Sequence, residues 1–372
     1  MAGVALSRTR EALLNLGLMA SSTLVFLAFC ELVVFRLILP AGDVPANAFI
    51  NDVVRYEPDQ KGVWRVRDEI AAPFSINAQG WNSALPDYPV EKKPGVTRVA
   101  FIGDSYVEAL QVPVERSFAE TTAQALSADA RTEPYRFAVS GAPLSQYVQM
   151  VEREAVRFKP DAIVVLLIHN DFDESFLLKA GRYTSSFLKF DVRDGQVRGE
   201  IPPQPWKAGA MDIVRRSATV RFFLYRWQVR PQALIEAIIG PARASDQPTF
   251  AANIDVASAM SRQADIKAAT AHGFTRLATL ARSVGANLYL VMDGDRGAIQ
   301  SGAATSPVLA LNAIAAEAAR AQGLRFLDLH PVFAADWAKN RERLDFVSDG
   351  HWSQHAHDVA GRAVADFMRS TQ

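Results

Sequence analysis

Cysteine is nearly absent from this 372-residue chain, and neither sign of charge is in excess. Cys30 is the only cysteine, so an intrachain disulfide and a metal site built from several cysteines are excluded. Lys and Arg number 40, as do Asp and Glu, and this neutrality argues against nucleic-acid binding, which needs a basic excess. Hydrophobic residues make up 49% and charged residues 22%, which is typical of a globular protein and not of a disordered one.

An apolar segment lies near the N-terminus. Residues 12–30 carry no charge, and about 20 such residues cross a bilayer as a helix. Arg8 and Arg10 precede the segment, so the positive-inside rule predicts a cytoplasmic N-terminus. We therefore predict a cytoplasmic tail at residues 1–10 and a single transmembrane anchor at residues 11–40, with the rest of the chain exported.

Two other processing routes fit an apolar N-terminus. A cleaved signal peptide has a shorter apolar core and a small-residue cleavage site, and no convincing Ala-x-Ala site occurs here. A lipid-modified Cys30 would need a small residue before it, whereas Phe29 stands there. An uncleaved anchor is therefore favoured, with Cys30 as a buried or lipid-facing thiol.

The exported part divides into a connector and one large domain. Residues 41–96 form a polar connector with short strand-like runs at 63–66 and 74–76. Beyond it, apolar runs alternate with helical patterns. The predicted strands are 97–102, 135–139, 160–168, 287–292 and 324–329. This alternation predicts an α/β domain at residues 97–372, with a doubly wound, flavodoxin-like parallel sheet of five strands.

Residues 180–265 interrupt this alternation and are predicted to be a helical insertion. Their main feature is a basic aromatic helix at residues 220–230 (VRFFLYRWQVR). The amphipathic pattern is typical of a helical lid packed on the domain. A membrane surface or an anionic glycan is the alternative contact. The arginines that would make it are Arg215, Arg216, Arg221, Arg226 and Arg230.

A candidate nucleophile follows the first strand of the domain. Gly103, Asp104 and Ser105 come directly after the apolar run. Ligands of doubly wound sheets bind beyond the carboxyl ends of the strands, so a serine there meets substrate and nearby backbone N–H groups. The same residue types are also common in plain turns.

The next two strands also end in residues suited to catalysis. Gly141 follows the second strand, and a glycine lets a substrate oxygen approach the backbone N–H. His169 and Asn170 follow the third strand, and the Asn170 amide is a neutral donor suited to a developing oxyanion. Taken singly, each pattern is equally typical of an ordinary strand end.

A histidine block precedes the last helix at residues 348–352 (SDGHW). His351 suits a general base for a serine, and Asp349 suits a group that fixes its tautomer. His355 and His357 are expected to face solvent. A zinc site built from these histidines is an alternative, but a serine mechanism explains the same residues without a metal, so no metal or cofactor is predicted.

In chain order, the four blocks resemble those of the SGNH hydrolases, also called GDSL-type esterases, which are named for Ser, Gly, Asn and His. Ser105, Gly141, Asn170 and His351 match these positions. The phrase GDSYVEALQVP around Ser105 and the NAQGW stretch at residues 77–81 resemble membrane-anchored bacterial envelope members. The resemblance covers about residues 97–170 and 270–372, and it implies a three-layer α/β/α SGNH fold.

Two positions depart from the pattern of the family. His169 stands where the third block usually carries glycine, and a ring there would narrow the acyl pocket or contact substrate. Ser348 occupies the position three residues before the histidine, where the family usually has aspartate. Asp349 lies two residues before His351, and Gly350 makes the shorter turn plausible.

The resemblance implies that Ser105 attacks an ester carbonyl, with His351 as general base and Asp349 as its partner. The backbone N–H groups of Ser105 and Gly141 and the Asn170 amide would form the oxyanion hole. Asp104 is expected to support the loop. The implied protein is an esterase that removes acyl groups, chiefly O-acetyl, from an envelope or secreted polysaccharide.

Two other functions remain open from the sequence. An O-acyltransferase would use the same serine and pass the acyl group to a sugar hydroxyl, and a non-catalytic protein would bind glycans or take part in assembly. Export predicts a location in the cell inner membrane, with the domain on the periplasmic or extracytoplasmic side. The partners implied are an acylated carbohydrate and the membrane, without nucleic acid.

Overall fold

The computed structural model describes residues 8–127, 131–178, 183–229, 250–251 and 254–371. Its strands are β1 (Asn47–Ile50), β2 (Val53–Tyr56), β3 (Lys61–Val66), β4 (Ile70–Ser75), β5 (Val96–Gly103), β6 (Arg131–Ala138), β7 (Ala162–Leu167), β8 (Lys189–Arg193), β9 (Gln196–Ile201), β10 (Phe250–Ala251), β11 (Ile254–Asp255), β12 (Asn287–Met292) and β13 (Arg325–Asp328).

The α-helices of the described residues are α1 (Arg8–Phe29), α2 (Ser105–Glu108), α3 (Phe118–Leu126), α4 (Leu144–Arg153), α5 (Asp171–Glu174), α6 (Ala210–Val214), α7 (Ala218–Arg221), α8 (Val256–Met260), α9 (Gln263–Ser283), α10 (Arg296–Ser301), α11 (Leu309–Ala321), α12 (Leu329–Asn340) and α13 (Gln354–Ser370). Short 3₁₀ turns lie at Val114–Arg116, Ala155–Phe158 and Thr184–Ser186, and π-helical segments at Cys30–Ile38 and Phe222–Arg226.

Five parallel strands form the central sheet in the order β13-β12-β7-β5-β6. The chain enters at β5, moves outward to β6, and then crosses back to β7 on the other side of β5. This reversal makes the gap between β5 and β7 the topological switch point, where ligands of doubly wound sheets bind. The predicted flavodoxin-like sheet of five strands is confirmed.

Both faces of the sheet are covered by helices, because successive strand residues point to opposite sides. On one side, Ile102 and Val165 join a buried cluster with residues of α4, α9 and α11. On the other side, Phe101 and Val164 join a second cluster with residues of α3, α12 and α13. The continuous apolar run of β7 is therefore buried on both faces, and the three-layer α/β/α arrangement is confirmed.

Serine caps set the start of two covering helices. Ser117 precedes α3, and its hydroxyl accepts a hydrogen bond from the N–H of Glu120 at 3.4 Å. Ser353 precedes α13 and accepts from the N–H of Ala356 at 3.2 Å. Such caps satisfy N–H groups that have no partner inside the helix.

The predicted connector at residues 41–96 packs against the domain. It contains two antiparallel hairpins, β1–β2 and β3–β4. Trp81 and Tyr88 are almost fully buried in one main core cluster. The Asn82 side-chain amide donates to the backbone oxygen of Glu108 in α2 at 2.8 Å. The connector therefore contributes both to the core and to the neighbourhood of Ser105.

The insertion contains a β-hairpin in addition to helices. β8 and β9 pair antiparallel, and these two strands were not predicted from the sequence. The expected helix over residues 220–230 is shorter and begins earlier, as α7 followed by the π-helical turn Phe222–Arg226. Arg230 lies outside the described residues.

The N-terminal helix stands apart from these layers. Arg10–Ile38 is long and apolar enough to cross a membrane, a property that membrane anchors and signal sequences share. Its large apolar side chains are exposed, with Leu18 at 71% and Phe26 at 63%. The main contact of its C-terminal end is with the insertion, through Glu31 and Phe35.

Candidate active site

Ser105 begins α2 directly beyond the carboxyl end of β5. Asp104 caps this short helix, since its Oδ1 accepts a hydrogen bond from the N–H of Tyr106 at 3.0 Å. Gly103 allows the close approach of helix to strand, because a Cβ there would lie 2.3 Å from Cγ2 of Val107. The Ser105 side chain is thereby held at the sheet edge on a rigid turn.

The strand register brings three of the predicted blocks to the same edge. Ile102 of β5 pairs with Phe137 of β6 on one side and Val165 of β7 on the other. Because parallel strands in register end together, residues a few positions beyond this row lie at neighbouring strand ends. These residues include Ser105, Gly141 and Asn170.

His351 completes the contact with Ser105. Its Nε2 lies 2.8 Å from the Ser105 Oγ, and its Nδ1 is hydrogen-bonded to the Asp349 carboxylate. A serine bonded to one imidazole nitrogen, with a carboxylate on the other, is the geometry in which serine hydrolases activate their nucleophile. The shorter spacing between Asp349 and His351 therefore permits the contact that the usual spacing provides.

The pKa values of this pair shift in opposite directions. Burial alone would lower the pKa of His351, but the charge and hydrogen bond of Asp349 outweigh it, and the net pKa lies above 6.5. Burial would raise the pKa of Asp349, but His351 outweighs it and the net pKa is lowered. The arrangement thus stabilises the ion pair that forms when the imidazole takes a proton.

Glu69 holds the loop that carries Asp349. Its carboxylate, at the tip of the β3–β4 hairpin, accepts hydrogen bonds from the N–H groups of Val347 at 2.9 Å and Ser348 at 2.7 Å. Gly350 takes a φ of +80°, a conformation that favours glycine. The connector hairpin and this turn together aim the imidazole at Ser105.

A buried ion pair beneath His351 supports the same loop. The Arg296 guanidinium is bonded to the Asp293 carboxylate and donates to the Gly350 carbonyl at 3.1 Å and the Tyr106 hydroxyl at 2.7 Å. The Trp352 indole N–H donates to Asp293 at 3.0 Å. Through these hydrogen bonds, the end of β12 is connected to Tyr106, which follows Ser105, and to Gly350, which precedes His351.

Sequence reasoning missed Asp293 and Arg296, although a signal was present. Asp293, Gly294 and Asp295 directly follow β12, as the polar residues considered at the first three strand ends follow theirs. Applying the same rule to the fourth strand would have singled out this position. The hydrogen bonds to Gly350 and Tyr106 are not encoded in any local spacing.

The other side of Ser105 carries Gly141 and Asn170. A Cβ added at Gly141 would meet nothing within 4 Å, so the space above this glycine is open. The Asn170 amide is 3.4 Å from a Glu174 carboxylate oxygen, one helical turn further on. The structure therefore places Asn170 at the expected strand end, with its amide directed along α5 and not bonded to Ser105.

Glu108 connects the Gly141 side of the site to the connector through hydrogen bonds. Its carboxylate accepts from the Ser140 hydroxyl at 2.5 Å and the Ser140 N–H at 3.1 Å, and it is also bonded to the Tyr56 hydroxyl. Burial raises the pKa of Glu108 to about 7, and the Ser140 and Tyr56 hydrogen bonds oppose the rise. The residue before Gly141 is thus held by a buried side chain from α2.

Asp104 and His169 are both buried. Burial raises the pKa of Asp104 to about 6, and its second carboxylate oxygen lies 3.4 Å from the Ser105 Oγ. His169 is 0% exposed, and its Nε2 lies 2.9 Å from Oδ1 of Asn312 in α11. The ring is therefore packed inside the domain, contrary to the expectation that it narrows the pocket or contacts substrate.

The remaining histidines of the last block have separate surroundings. His355 contacts the carboxylates of Asp336 at 2.5 Å and Glu342 at 3.3 Å. His357 is 1% exposed, and its Nδ1 accepts from the N–H of Phe118 at 3.2 Å. The expectation that His357 faces solvent is wrong, because α13 turns this position toward α3. The three rings do not converge on one point.

Residues 99–193 match the family model described as GDSL-like lipase/acylhydrolase. This range contains Ser105, Gly141 and Asn170, while His351 lies beyond it. This part of the chain is thus similar to that family, as the resemblance predicted, and the match supports a carboxylic ester hydrolase.

Several solved structures are similar to this chain. They include the lipase/acylhydrolase from Enterococcus faecalis, at 12% identity and a TM-score of 0.39, with 74% of this chain and 96% of that chain covered. A catalytic mutant of Axe2, an acetylxylan esterase from Geobacillus stearothermophilus, is similar at 11% identity and a TM-score of 0.40, with 74% and 96% covered.

A two-domain esterase active on acetylated mannans is similar at 8% identity and a TM-score of 0.41. The match covers 74% of this chain and 49% of that one. No curated protein matches the sequence.

Proposed function

We propose that this protein is a serine esterase that removes acyl groups from a polysaccharide, with O-acetyl as the acyl group. The observation that carries the proposal is the chain of contacts from Ser105 Oγ through the His351 imidazole to the Asp349 carboxylate. A serine hydroxyl is a weak nucleophile unless a positioned base takes its proton, and this contact supplies one.

In the acylation step, Ser105 Oγ bonds to the ester carbonyl carbon and its proton passes to Nε2 of His351. The developing oxyanion is held by the backbone N–H groups of Ser105 and Gly141 and by the Asn170 amide, which rotates away from Glu174. Collapse of the tetrahedral intermediate breaks the bond to the sugar oxygen, which takes the proton from His351. The products are the deacylated sugar and an acyl-enzyme.

In the deacylation step, His351 removes a proton from water as the water attacks the acyl carbonyl. The bond to Ser105 Oγ then breaks, the proton returns to the serine, and the carboxylic acid leaves. Asp349 stays ionised throughout and stabilises the imidazolium that forms in each half-reaction. Asp104 holds the turn that presents Ser105.

The polysaccharide substrate follows from the proposed location. Arg10–Ile38 would anchor the chain in the inner membrane as a single-pass helix, with residues 41–372 on the extracytoplasmic side. Acylated envelope or secreted glycans are esters that a domain on that side of the membrane can reach. The amino terminus would lie in the cytoplasm, next to Arg8 and Arg10.

The test is hydrolysis of a chromogenic acetate ester by the full chain in detergent micelles. Ser105→Ala and His351→Ala are each expected to reduce kcat/KM by about 10⁴-fold or more. His272→Ala is the matched control, because His272 contacts Glu200, outside the site, and its loss should leave the rate unchanged. Equal rates for the wild type and the Ser105→Ala variant would overturn the proposal.

The same preparation separates hydrolysis from the alternatives. With an acetyl donor and an added sugar acceptor, an esterase releases acetate irrespective of the acceptor, whereas an acyltransferase forms acetylated sugar faster than acetate. A non-catalytic glycan-binding protein would keep its function in the Ser105→Ala variant.

A further inference from the structure

The insertion presents apolar side chains that the catalytic domain does not cover. We call residues 210–227, which comprise α6, α7 and the following π-helical turn, the collar. Its exposed apolar residues are Met211, Ile213, Val214, Phe223 and Trp227, with exposed fractions from 40% to 67%. Exposed apolar clusters of this kind mark surfaces that bind a partner or a membrane.

The collar is fixed to the end of the N-terminal helix. The Glu31 carboxylate accepts hydrogen bonds from the N–H groups of Ala218 at 2.7 Å and Thr219 at 3.0 Å, and from the Ser217 hydroxyl at 2.8 Å. The Thr219 hydroxyl donates a fourth hydrogen bond to Glu31 at 3.0 Å. These four hydrogen bonds make the attachment of the collar to the helix specific.

Aromatic contacts continue the apolar surface of the helix onto the collar. The Phe35 ring lies 4.6 Å from the ring of Phe222 and 5.6 Å from that of Phe223. Phe222 is buried in this contact, whereas Phe223 is 44% exposed. The exposed face of the collar is therefore continuous with a helix that is apolar enough to cross a membrane.

The length of the helix sets the depth of the collar. The helix has 29 residues from Arg10 to Ile38, and at about 1.5 Å per residue it is longer than the ~30 Å hydrocarbon layer. The charge-free residues 12–30 fill that layer. Glu31 and Arg36, which pair at 3.1 Å, then lie at headgroup level, and the collar bonded to Glu31 lies at the same level.

The charges of the collar suit this depth. Arg221 donates to the Gly42 carbonyl at 2.9 Å, and Arg226 pairs with Asp68 at 2.7 Å, so both guanidinium groups are held beside the helix end. Arg215 pairs with Asp212 at 3.2 Å. Arginine and tryptophan next to exposed aliphatic side chains are the composition of segments that lie in the membrane interface.

We propose that the collar is a second membrane contact. Its apolar side chains enter the boundary between headgroups and acyl chains in the leaflet where the helix emerges. The proposal rests on the anchor described under the proposed function. A helix and a collar together restrict the tilt of the catalytic domain and fix the height of Ser105 above the bilayer.

The experiment places one environment-sensitive fluorophore at a time on the full chain in nanodiscs of phosphatidylcholine and phosphatidylglycerol. Cys30→Ser removes the only native thiol, and Ile213→Cys and Phe223→Cys then report on the collar. Leu27→Cys is the positive control, within the apolar run. Val90→Cys is the matched negative control, since Val90 is 53% exposed on the connector. Ester hydrolysis by each labelled chain checks that it is folded.

Spin-labelled lipids in the nanodiscs are expected to quench both collar probes at least half as strongly as the Leu27 probe. The Val90 probe is expected to stay unquenched. If the collar probes stay unquenched like the Val90 probe while the Leu27 probe is quenched, the proposed membrane contact of the collar is wrong. The transmembrane anchor is then still supported.

If the Leu27 probe is not quenched, both the transmembrane anchor and the membrane contact of the collar are wrong. The test of ester hydrolysis does not depend on this result. Collar probes whose emission shifts to the blue without lipid quenching would show that protein, such as a second copy of the chain, covers the surface. That result also overturns the proposal.

Discussion

On one side of Ser105, the His351 loop is held by a hairpin carboxylate from Glu69 and by the buried pair of Arg296 and Asp293. On the other side, Gly141 faces open space and the Asn170 amide contacts Glu174. In the proposed mechanism, the side with the general base His351 is assembled before substrate arrives, whereas the oxyanion side has one donor, the Asn170 amide, that must turn.

This difference fits the proposed roles of the two sides. A general base must meet the nucleophile within hydrogen-bond distance at all times, and a flexible loop needs several supports to achieve this. An oxyanion hole needs its donors only when charge develops, and a backbone N–H is already positioned by the strand end. Variants on the two sides should therefore fail in different ways.

The largest effect is expected at Asp349. Asp349→Asn should lower kcat/KM by about 10⁴-fold, because the imidazole loses the partner that sets its tautomer. Asp349 raises the pKa of His351, and activity requires neutral His351, so the acid limb of the pH–rate profile should move to lower pH in the variant.

Steady-state kinetics across pH measures both changes at Asp349. The control is Asp345→Asn on the same loop, which should leave the acid limb in place. An unchanged acid limb in the Asp349→Asn variant would show that another group orients His351.

Breaking the buried ion pair of Arg296 and Asp293 tests how strongly this pair stabilises the loop that carries His351. Arg296→Met leaves the Asp293 carboxylate uncompensated, and it should lower the unfolding free energy by about 3–5 kcal/mol. The double variant Asp293→Asn/Arg296→Met should recover at least half of that loss.

Urea unfolding gives these stabilities. The pair of the exposed Arg343 and the half-buried Asp345, at 3.0 Å, is the matched comparison, and Arg343→Met should cost only about 0–1 kcal/mol. A double variant as unstable as Arg296→Met alone would contradict the charge argument.

Substitution of Asn170, on the oxyanion side, should reduce turnover without reducing the stability of the fold. Asn170→Ala is expected to reduce kcat by about 10²–10³-fold, with KM little changed, because its amide acts only as charge develops. Asn340→Ala, at an exposed position on α12, is the control for the loss of an amide. A rise in KM with unchanged kcat would indicate that Asn170 binds substrate in its ground state.

The smallest effect is expected at Glu108. Its pKa is raised from 4.5 to about 7, so the protonated form is favoured in the folded state, and this stabilisation is present below pH 4.5 and is lost as the pH rises through 7. Relative to Glu108→Gln, the unfolding free energy of the wild type should fall by about 3 kcal/mol over that range.

Thermal and urea unfolding at several pH values test the Glu108 prediction. A parallel pH dependence for the wild type and the Glu108→Gln variant would show that burial does not govern this carboxyl. Turnover at pH 8 should change less than tenfold, since Glu108 acts on Gly141 only through Ser140.

The strand ends show how far local sequence signals reach. The apolar run of β7 and the polar residues after β5, β6 and β7 are local patterns. They correctly predicted the sheet and the edge at which Ser105, Gly141 and Asn170 meet, while the roles of these residues stay a prediction. The β8–β9 hairpin was missed, because the alternation in its strands is weak and its Asp194–Gly195 turn lies within an insertion assumed to be helical. His357 was misplaced because its burial depends on α3, which is remote in sequence.

By itself, the sequence determined the doubly wound sheet, the family resemblance and the residues expected to react, because periodicity and strand-end chemistry are carried by neighbouring positions. The tertiary structure alone decided the inward packing of His169, the buried support of His351 by Arg296 and the attachment of the insertion to Glu31. These contacts join segments far apart in the chain. Their geometry is fixed only when the layers pack and bury polar groups that must then find partners.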